Sequence, residues 1–418
     1  MEFTPLIALE SPIIGLVVLT GAILLSSVEY SRKPLIFIIA LALITNIYQV
    51  NLKNFILSQV KIIEIVIAAF GLEVLSALLS KGRFFEVISK ILLGKSRSPY
   101  EIFLVLNFLT ALLSAILSNV LVLSYMVMLA MKLTECLPEL DPSELITSLI
   151  ISSNLGSMAT LIGDLSNIIV GLNAGMTFLD FITTVMHISI ISFLISHLLI
   201  FLRIRRKEKT SEKCVLLPSM EKKLGSEEKP YLIFGLLSMI LMFTLLLLYS
   251  KLGINEGISL GLTAIFILFL GGDRISKVFG EVDWSSIAYL GTLLLSAELV
   301  NQAGGFEIVV RAISESHTQL NVYLLSVGLS SFIDDTETAA LLTPILRTLN
   351  ADRKSWWALV VGSSIGSALT PWGSLANIIA LKSVEEKYRI SPLRFLKLSS
   401  FAVLPVIPVA YFLLSVLG

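Results

Sequence analysis

Two segments 210 residues apart are versions of one sequence: Ser153-Asn-Leu-Gly-Ser-Met-Ala-Thr-Leu-Ile-Gly-Asp-Leu-Ser-Asn-Ile-Ile169 and Ser363-Ser-Ile-Gly-Ser-Ala-Leu-Thr-Pro-Trp-Gly-Ser-Leu-Ala-Asn-Ile-Ile379. Nine of the seventeen positions are identical, among them Gly156/Gly366, Thr160/Thr370, Gly163/Gly373 and Asn167/Asn377. Each copy interrupts an apolar run with glycines and small hydroxyls, residues that break a helix and leave backbone carbonyls and amides unpaired. A half-helix N-terminus carries a partial charge of about +0.5 toward an anion, while unwound carbonyls and hydroxyls suit a small cation such as sodium. Paired interruptions in the two halves of an apolar chain are the sequence signature of a transport site.

Acid accompanies these interruptions. Asp164 lies within the first motif, and two more apolar stretches, 100–132 and 320–349, are broken near their middles by Ser118-Asn119 and by Asp334-Asp335-Thr336-Glu337-Thr338. A carboxylate inside a membrane segment costs about 2.5–3.5 kcal/mol on insertion scales, so its default role is functional. The structural alternative is a cap or a salt bridge, with Lys354 or Arg347 as partner. Adjacent carboxylates in a partly dehydrated pocket do not both ionise easily, which brings proton uptake within reach of neutral pH. Asn167 and Asn377 are placed either to cap the second half-helix of each break or to ligate directly, since Asn is a preferred N-cap in any helix. Glu73 and Glu298, at similar depths in corresponding spans, are weaker candidates.

The elements that must position these groups follow from composition. Hydrophobic residues make up 55% of the chain and charged residues 15%, with mean hydropathy +0.88, whereas soluble domains carry about 25% charged residues. The expected fold is all-α and polytopic, with the lipid bilayer as its principal partner. The first apolar run follows Met1-Glu-Phe-Thr-Pro without a basic segment or a cleavage site and reads as a retained span. Windows long enough to cross about 30 Å of hydrocarbon fall near 11–28, 34–50, 60–80, 178–202, 231–250, 257–271, 284–303 and 393–417. The broken segments, 144–171 and 355–381, bring the crossings to ten, and 100–132 and 320–349 read as re-entrant hairpins whose tips stop inside the protein.

The halves then correspond element by element: 1–203 forms one repeat, 204–230 a polar linker and 231–418 a second repeat. Amphipathic pieces correspond too, Gly82-Arg-Phe-Phe-Glu-Val-Ile-Ser and Gly304-Gly-Phe-Glu-Ile-Val-Val-Arg. Five crossings per repeat is an odd number, so the second repeat is expected to be inverted. With the linker in the cytoplasm, inside loops hold 24 of the 31 basic residues, the asymmetry the positive-inside rule requires, and both termini lie outside.

Equal numbers of basic and acidic residues, 31 each, argue against a nucleic-acid surface. Cys136 and Cys214 offer no disulfide framework and no metal cluster, and His187, His197 and His317 are too scattered for ligand spacing; each reads as a packed or interfacial residue. Trp284, Trp356 and Trp357 suit an interfacial belt, whereas Trp372, inside the second motif, is placed to wall a substrate cavity.

These residues resemble the ion transporter superfamily, which includes the arsenite/antimonite permeases, the NhaD-type sodium/proton antiporters, the citrate and divalent-anion transporters and the melanosomal P protein. The first motif is similar to the family's "NIGG-AT-IGDPPN" signature. Thr370-Pro-Trp-Gly-Ser-Leu-Ala resembles the "TPIGSLA" run of arsenite permeases, and Asp335-Thr-Glu-Thr-Ala-Ala-Leu-Leu-Thr-Pro344 resembles their "ND-AALILTP". The resemblance implies substrate and ion binding at Ser118 and Asn119 and at Asp334, Asp335 and Thr336, with broken-helix ligands at Thr160, Gly163, Asp164 and Asn167 and at Thr370, Gly373, Ser374 and Asn377. It implies no cofactor, no resident metal beyond transient sodium at those residues, and a proton or sodium as coupling ion. Val120 where the family's tip has threonine, Leu165-Ser166 in place of the first motif's usual proline pair, and aspartate at the second tip where symporters have asparagine argue against dicarboxylate binding through paired Ser-Asn-Thr tips. The expectation is a non-enzymatic, multi-pass plasma-membrane secondary transporter, moving an arsenite- or antimonite-class ion by an elevator mechanism with protons. A sodium/proton antiporter and an organic-anion symporter are the alternatives. A homodimer and, on the arsenite permease reading, a soluble ATPase are the partners it would have.

Overall fold

A computed structural model describes residues 11–93, 98–136, 139–205, 225–252, 255–314, 318–384 and 388–417. Most of the linker with Cys214, the first ten residues, and His317 lie outside the described residues. Every regular element among those described is helical. Among the described residues, five helical spans are long and apolar enough to cross a bilayer alone, namely Tyr30–Ile47, Val60–Lys81, Phe178–Ile204, Glu228–Leu248 and Pro392–Leu417. Trp284–Gln302 joins them when taken together with Glu307–Ile313, to which it is bent by 81°. Other crossings expected from hydropathy are shorter helices or broken ones. Glu256–Leu270 has 15 helical residues. At 1.5 Å per residue such a helix reaches about 22 Å, short of the hydrocarbon thickness.

Helix starts follow local chemistry. Ser98-Pro99, Asp141-Pro142 and Ser391-Pro392 each set an N-cap side chain accepting a backbone N–H and a proline in the first turn, where the missing donor costs nothing. The last apolar window is not one helix. It divides into Pro392–Val403 and Val406–Leu417 at Pro405, which cannot donate to the preceding turn.

Burial separates inner from outer helices. In Val60–Lys81, 67% of the spanning window is inside the protein, against 28% for Glu228–Leu248, so the former is central and the latter presents Ile233, Leu237 and Ile240 outward. Trp356 and Trp357, expected in an interfacial belt, are buried. Their helix Arg353–Leu369 is central, and Trp357 meets Phe181 edge-on at 5.0 Å. Belt placement applies only to helices that touch lipid.

The first hairpin comprises Pro99–Ser114 and Asn119–Cys136, the second Thr318–Ser330 and Asp335–Thr348. The broken spans comprise Pro142–Ser157 with Leu165–Ala174, and Arg353–Leu369 with Leu375–Lys382. Packing between them is reciprocal. Each hairpin's incoming arm lies on the first half-helix of its own broken span, and each outgoing arm lies on the second half-helix of the other one. All four interruptions thereby meet at one place.

Two motif glycines make the close approach. A Cβ on Gly156 would stand 2.3 Å from the Ala111 carbonyl oxygen, and one on Gly366 would stand 2.5 Å from that of Val327. Both neighbours are backbone of the incoming hairpin arms, which cannot rotate away. Gly156→Ala and Gly366→Ala are therefore each expected to lower stability by about 1–3 kcal/mol. Gly328→Ala, in an incoming arm but with nothing within 4 Å of its Cβ, should leave stability unchanged or raise it by up to about 1 kcal/mol. Thermal unfolding of the purified protein in detergent reads the contrast.

Candidate functional site

The breaks are held by the residues that the motifs share. One turn into the second half-helix, Asn167 Nδ2 donates to the carbonyls of Ser157 (2.9 Å) and Thr160 (2.8 Å). Asn377 Nδ2 does the same to Ser367 (2.9 Å) and Thr370 (3.2 Å). Thr160 Oγ1 donates to the Ala115 carbonyl at the first hairpin tip, and Thr370 Oγ1 donates to that of Ser331 at the second, 2.6 Å away. These side chains give donors to carbonyls at the breaks, beside the long amide bonds from Gly163 to Thr160 (3.3 Å) and from Gly373 to Thr370 (3.5 Å), and irregular backbone at membrane depth requires such partners. Neither asparagine is an N-cap, and neither lines the cavity described below. The cap positions belong to Asp164, which accepts from Ser166 N at 3.0 Å, and to Ser374, whose side chain makes no cap bond. One asymmetry remains. Asn377 Oδ1 accepts from Asn154 Nδ2 at 2.9 Å, whereas the buried Asn167 Oδ1 has no partner; Ser364 stands where a second Asn154 would be.

In front of the breaks lies a cavity of about 200 Å³ lined by Ser118, Asn119, Gly163, Asp164, Asp334, Asp335, Thr336 and Ser374, with Glu73 and Tyr289 on the facing wall. Its rim includes the exposed residues Ser80, Glu281 and Asp283. Among the described residues, no lysine, arginine or histidine lines it. Of the expected site residues, Thr160, Asn167, Thr370, Gly373 and Asn377 thus stand behind the cavity, while the other eight face it. Trp372 does not wall it and is 44% exposed.

The acids are held differently. At the first tip, Asn119 Nδ2 donates to Asp164 Oδ2, while Asn119 Oδ1 accepts from Ser153 Oγ at 3.3 Å. At the second, Asp334 is a structural hub. It accepts from Thr336 N at 3.0 Å and from Leu375 N at 2.6 Å, which joins hairpin to broken span, and its Oδ2 lies 3.4 Å from Lys33 Nζ. Asp335 N donates to the Gly373 carbonyl at 3.1 Å, and the Asp335 carboxylate accepts from the Thr336 hydroxyl at 3.4 Å. It is close enough to Asp164 for the two charges to repel.

The salt-bridge partners expected from the sequence are engaged elsewhere. Arg347 pairs with Glu298, which gives that acid a structural place, and Lys354 donates to the Ser415 carbonyl at 3.2 Å. Lys33, 3% exposed, is the base that reaches the second tip. Its signal was a lysine directly ahead of an apolar run, which hydropathy alone assigns to a cytoplasmic loop. His197 is packed: Nε2 meets Ser152 Oγ at 2.7 Å and Nδ1 the Phe193 carbonyl at 2.9 Å.

An all-helical bundle of apolar spans, with two hairpin tips and two broken helices closing on one polar cavity, defines a multi-pass membrane transporter. The chain belongs to the citrate transporter family, CitMHS, whose profile matches residues 6–362. It is similar to the 46 kDa membrane protein of Mycobacterium leprae, 26% identical over 337 residues that cover 76% of this chain and 78% of that one. It is similar also to inner membrane protein YbiR of Escherichia coli, 24% identical over 352 residues, 82% of this chain and 88% of that one. In fold it matches the YdaH transporter of Alcanivorax borkumensis at a TM-score of 0.56 and 15% identity, over 89% of this chain and 88% of that one.

Because each clamp donates to the Ser157 or Ser367 carbonyl and reinforces the long bond to Thr160 or Thr370, Asn167→Ala and Asn377→Ala are expected to cost about 1–3 kcal/mol of stability. Asn377→Ala should cost more, since it also takes an acceptor from Asn154, while Asn167→Ala removes an acceptor that was already unpaired. Thermal melts of both variants beside wild type decide the ranking.

Proposed function

We propose that the chain is a secondary active transporter that exchanges protons and cations on the carboxylates of its central cavity. A single observation carries the reading: Glu73, Asp164, Asp334 and Asp335 share one cavity whose lining, among the described residues, contains no basic side chain. A free carboxylate anion placed there meets like charge at low dielectric, where repulsion is strong. A proton or a metal cation meets attraction. Asp164 and Asp335 are the carrying pair in this reading, because Asp334 is committed to two backbone amides and Lys33.

The family's name supports a second reading. A tricarboxylate could enter such a cavity only together with a cation that cancels its charge, so citrate would travel as a metal complex. An uncharged metalloid acid, the arsenite class, meets no repulsion either, but no group in the lining selects it.

Reciprocal packing of hairpins on broken spans supports a transport domain built from those four elements, in two inverted repeats, moving against the remaining spans. With the linker in the cytoplasm, a mouth at Ser80, Glu281 and Asp283 would open to the cytoplasmic side. Cysteines at Ser80 and Asp283 should then react with an impermeant maleimide in inside-out vesicles and not in intact cells; the reverse pattern overturns the orientation.

The decisive measurement uses liposomes with a trapped pH dye, challenged with sodium, magnesium, arsenite, citrate, and citrate with magnesium. Wild type should move protons in response to a cation or to the metal complex, and not to citrate alone. Asp335→Asn and Asp164→Asn should each cut that flux by at least about a hundredfold, by removing a charge-carrying group. Unchanged flux in both variants would reject the carboxylate reading.

A further inference from the structure

Lys33 does more than neutralise an acid. Its ammonium lies 3.4 Å from Asp334 Oδ2 and 3.1 Å from Glu337 Oε1, and the three side chains are 3%, 5% and 0% exposed. Glu337 Oε1 also accepts from Ser26 Oγ at 2.8 Å and from Tyr289 OH at 3.2 Å, and the ammonium stands 5.0 Å from the centre of the Tyr289 ring. Ser26, Lys33 and Tyr289 come from three helices, Ser11–Val28, Lys33–Ile47 and Trp284–Gln302, which pack on one another. They grip the second hairpin alone. Aligning the outgoing arms at Asn119 and Asp335 puts Leu121 opposite Glu337, and leucine offers no such handle. Glu337 Oε2 is buried without a partner, so the cluster holds more acceptor capacity than the lysine and hydroxyls use.

We propose that Lys33 is a tethered cation of the transport cavity. With no cargo bound, its ammonium holds the charge-balancing place on Asp334 and Glu337 and fastens the second hairpin to the three outer helices; a carried cation entering beside Asp334 and Asp335 displaces it and releases that grip. The inference rests on the cation-exchange reading above. Its physical basis is that a buried charge is tolerated only when paired. Two cations cannot share one carboxylate pair at full strength, so cargo and lysine compete, and occupancy is linked to the freedom of the hairpin to move.

The test is cation-dependent thermal stabilisation of the purified full-length protein in detergent. Sodium chloride and magnesium chloride serve as probes against choline chloride at constant ionic strength, for wild type, Lys33→Gln, Lys33→Arg and Glu337→Gln. Removing the competitor should lower the half-maximal probe concentration about tenfold in Lys33→Gln, with Lys33→Arg within about twofold of wild type. Glu337→Gln should raise it, because the lysine then rests on Asp334 alone. A merely structural lysine would lower the melting temperature of Lys33→Gln without moving the half-maximal concentration, and that result overturns the proposal while leaving the cation site standing. If neither probe stabilises any of the proteins, the proposal and the cation-exchange reading fall together. Should Lys33→Gln not fold, Glu337→Gln decides, and an unchanged or lower half-maximal concentration there overturns the competition.

Discussion

Inside a bilayer, no water satisfies a backbone group that leaves its helix, and each buried group left unpaired costs about 1–3 kcal/mol. Four interruptions at membrane depth would be untenable apart, and the fold answers by bringing them together. Asn167, Asn377, Thr160 and Thr370 turn inward onto carbonyls, and Asp334 ties the second tip to the second break through Leu375 N. Packing of each incoming arm on its own broken span serves the same need, because each tip supplies a carbonyl acceptor for the threonine of its own break. The polar heart is therefore mainly self-satisfying, and what it leaves over becomes significant.

What it leaves over is negative charge. Lys33 answers Asp334 and Glu337, while Asp164 has an amide and a backbone N–H, and Asp335 a hydroxyl. Hydrogen bonds soften a carboxylate's burial but do not cancel its charge. A proton or a cation does cancel it, and only a neutralised domain can cross a low-dielectric barrier cheaply. The same electrostatic demand thus accounts for why a cation would bind and why binding would permit movement.

The breaks were legible because glycine, threonine and asparagine are out of place in a lipid-spanning helix, and the duplication marked them twice. Their atomic task was not legible. An asparagine's type tells that it hydrogen-bonds, not toward which side of the chain, so Asn167 and Asn377 read as caps or ligands although they clamp the break from behind. Lys33 escaped for a different reason: its partners lie in the other half of the sequence, and hydropathy sees only a charge ahead of a span. Trp356 and Trp357 misled because residue type locates a belt only once it is known which helices face lipid, and their helix does not.

The two halves differ where the chemistry is. In the first, the acid sits on the broken span and the amide on the hairpin, Asp164 with Asn119; in the second, the acid sits on the hairpin and the hydroxyl on the broken span, Asp335 with Ser374. A strictly repeated pair would place both acids on hairpins or both on broken spans. The exchanged arrangement places one unneutralised carboxylate from each half on a single cavity. Only the second hairpin, moreover, carries the glutamate that Ser26, Lys33 and Tyr289 hold. Divergence between the copies therefore gives them different surroundings: both place a carboxylate on the cavity, and the second hairpin is also held to the outer helices through Glu337.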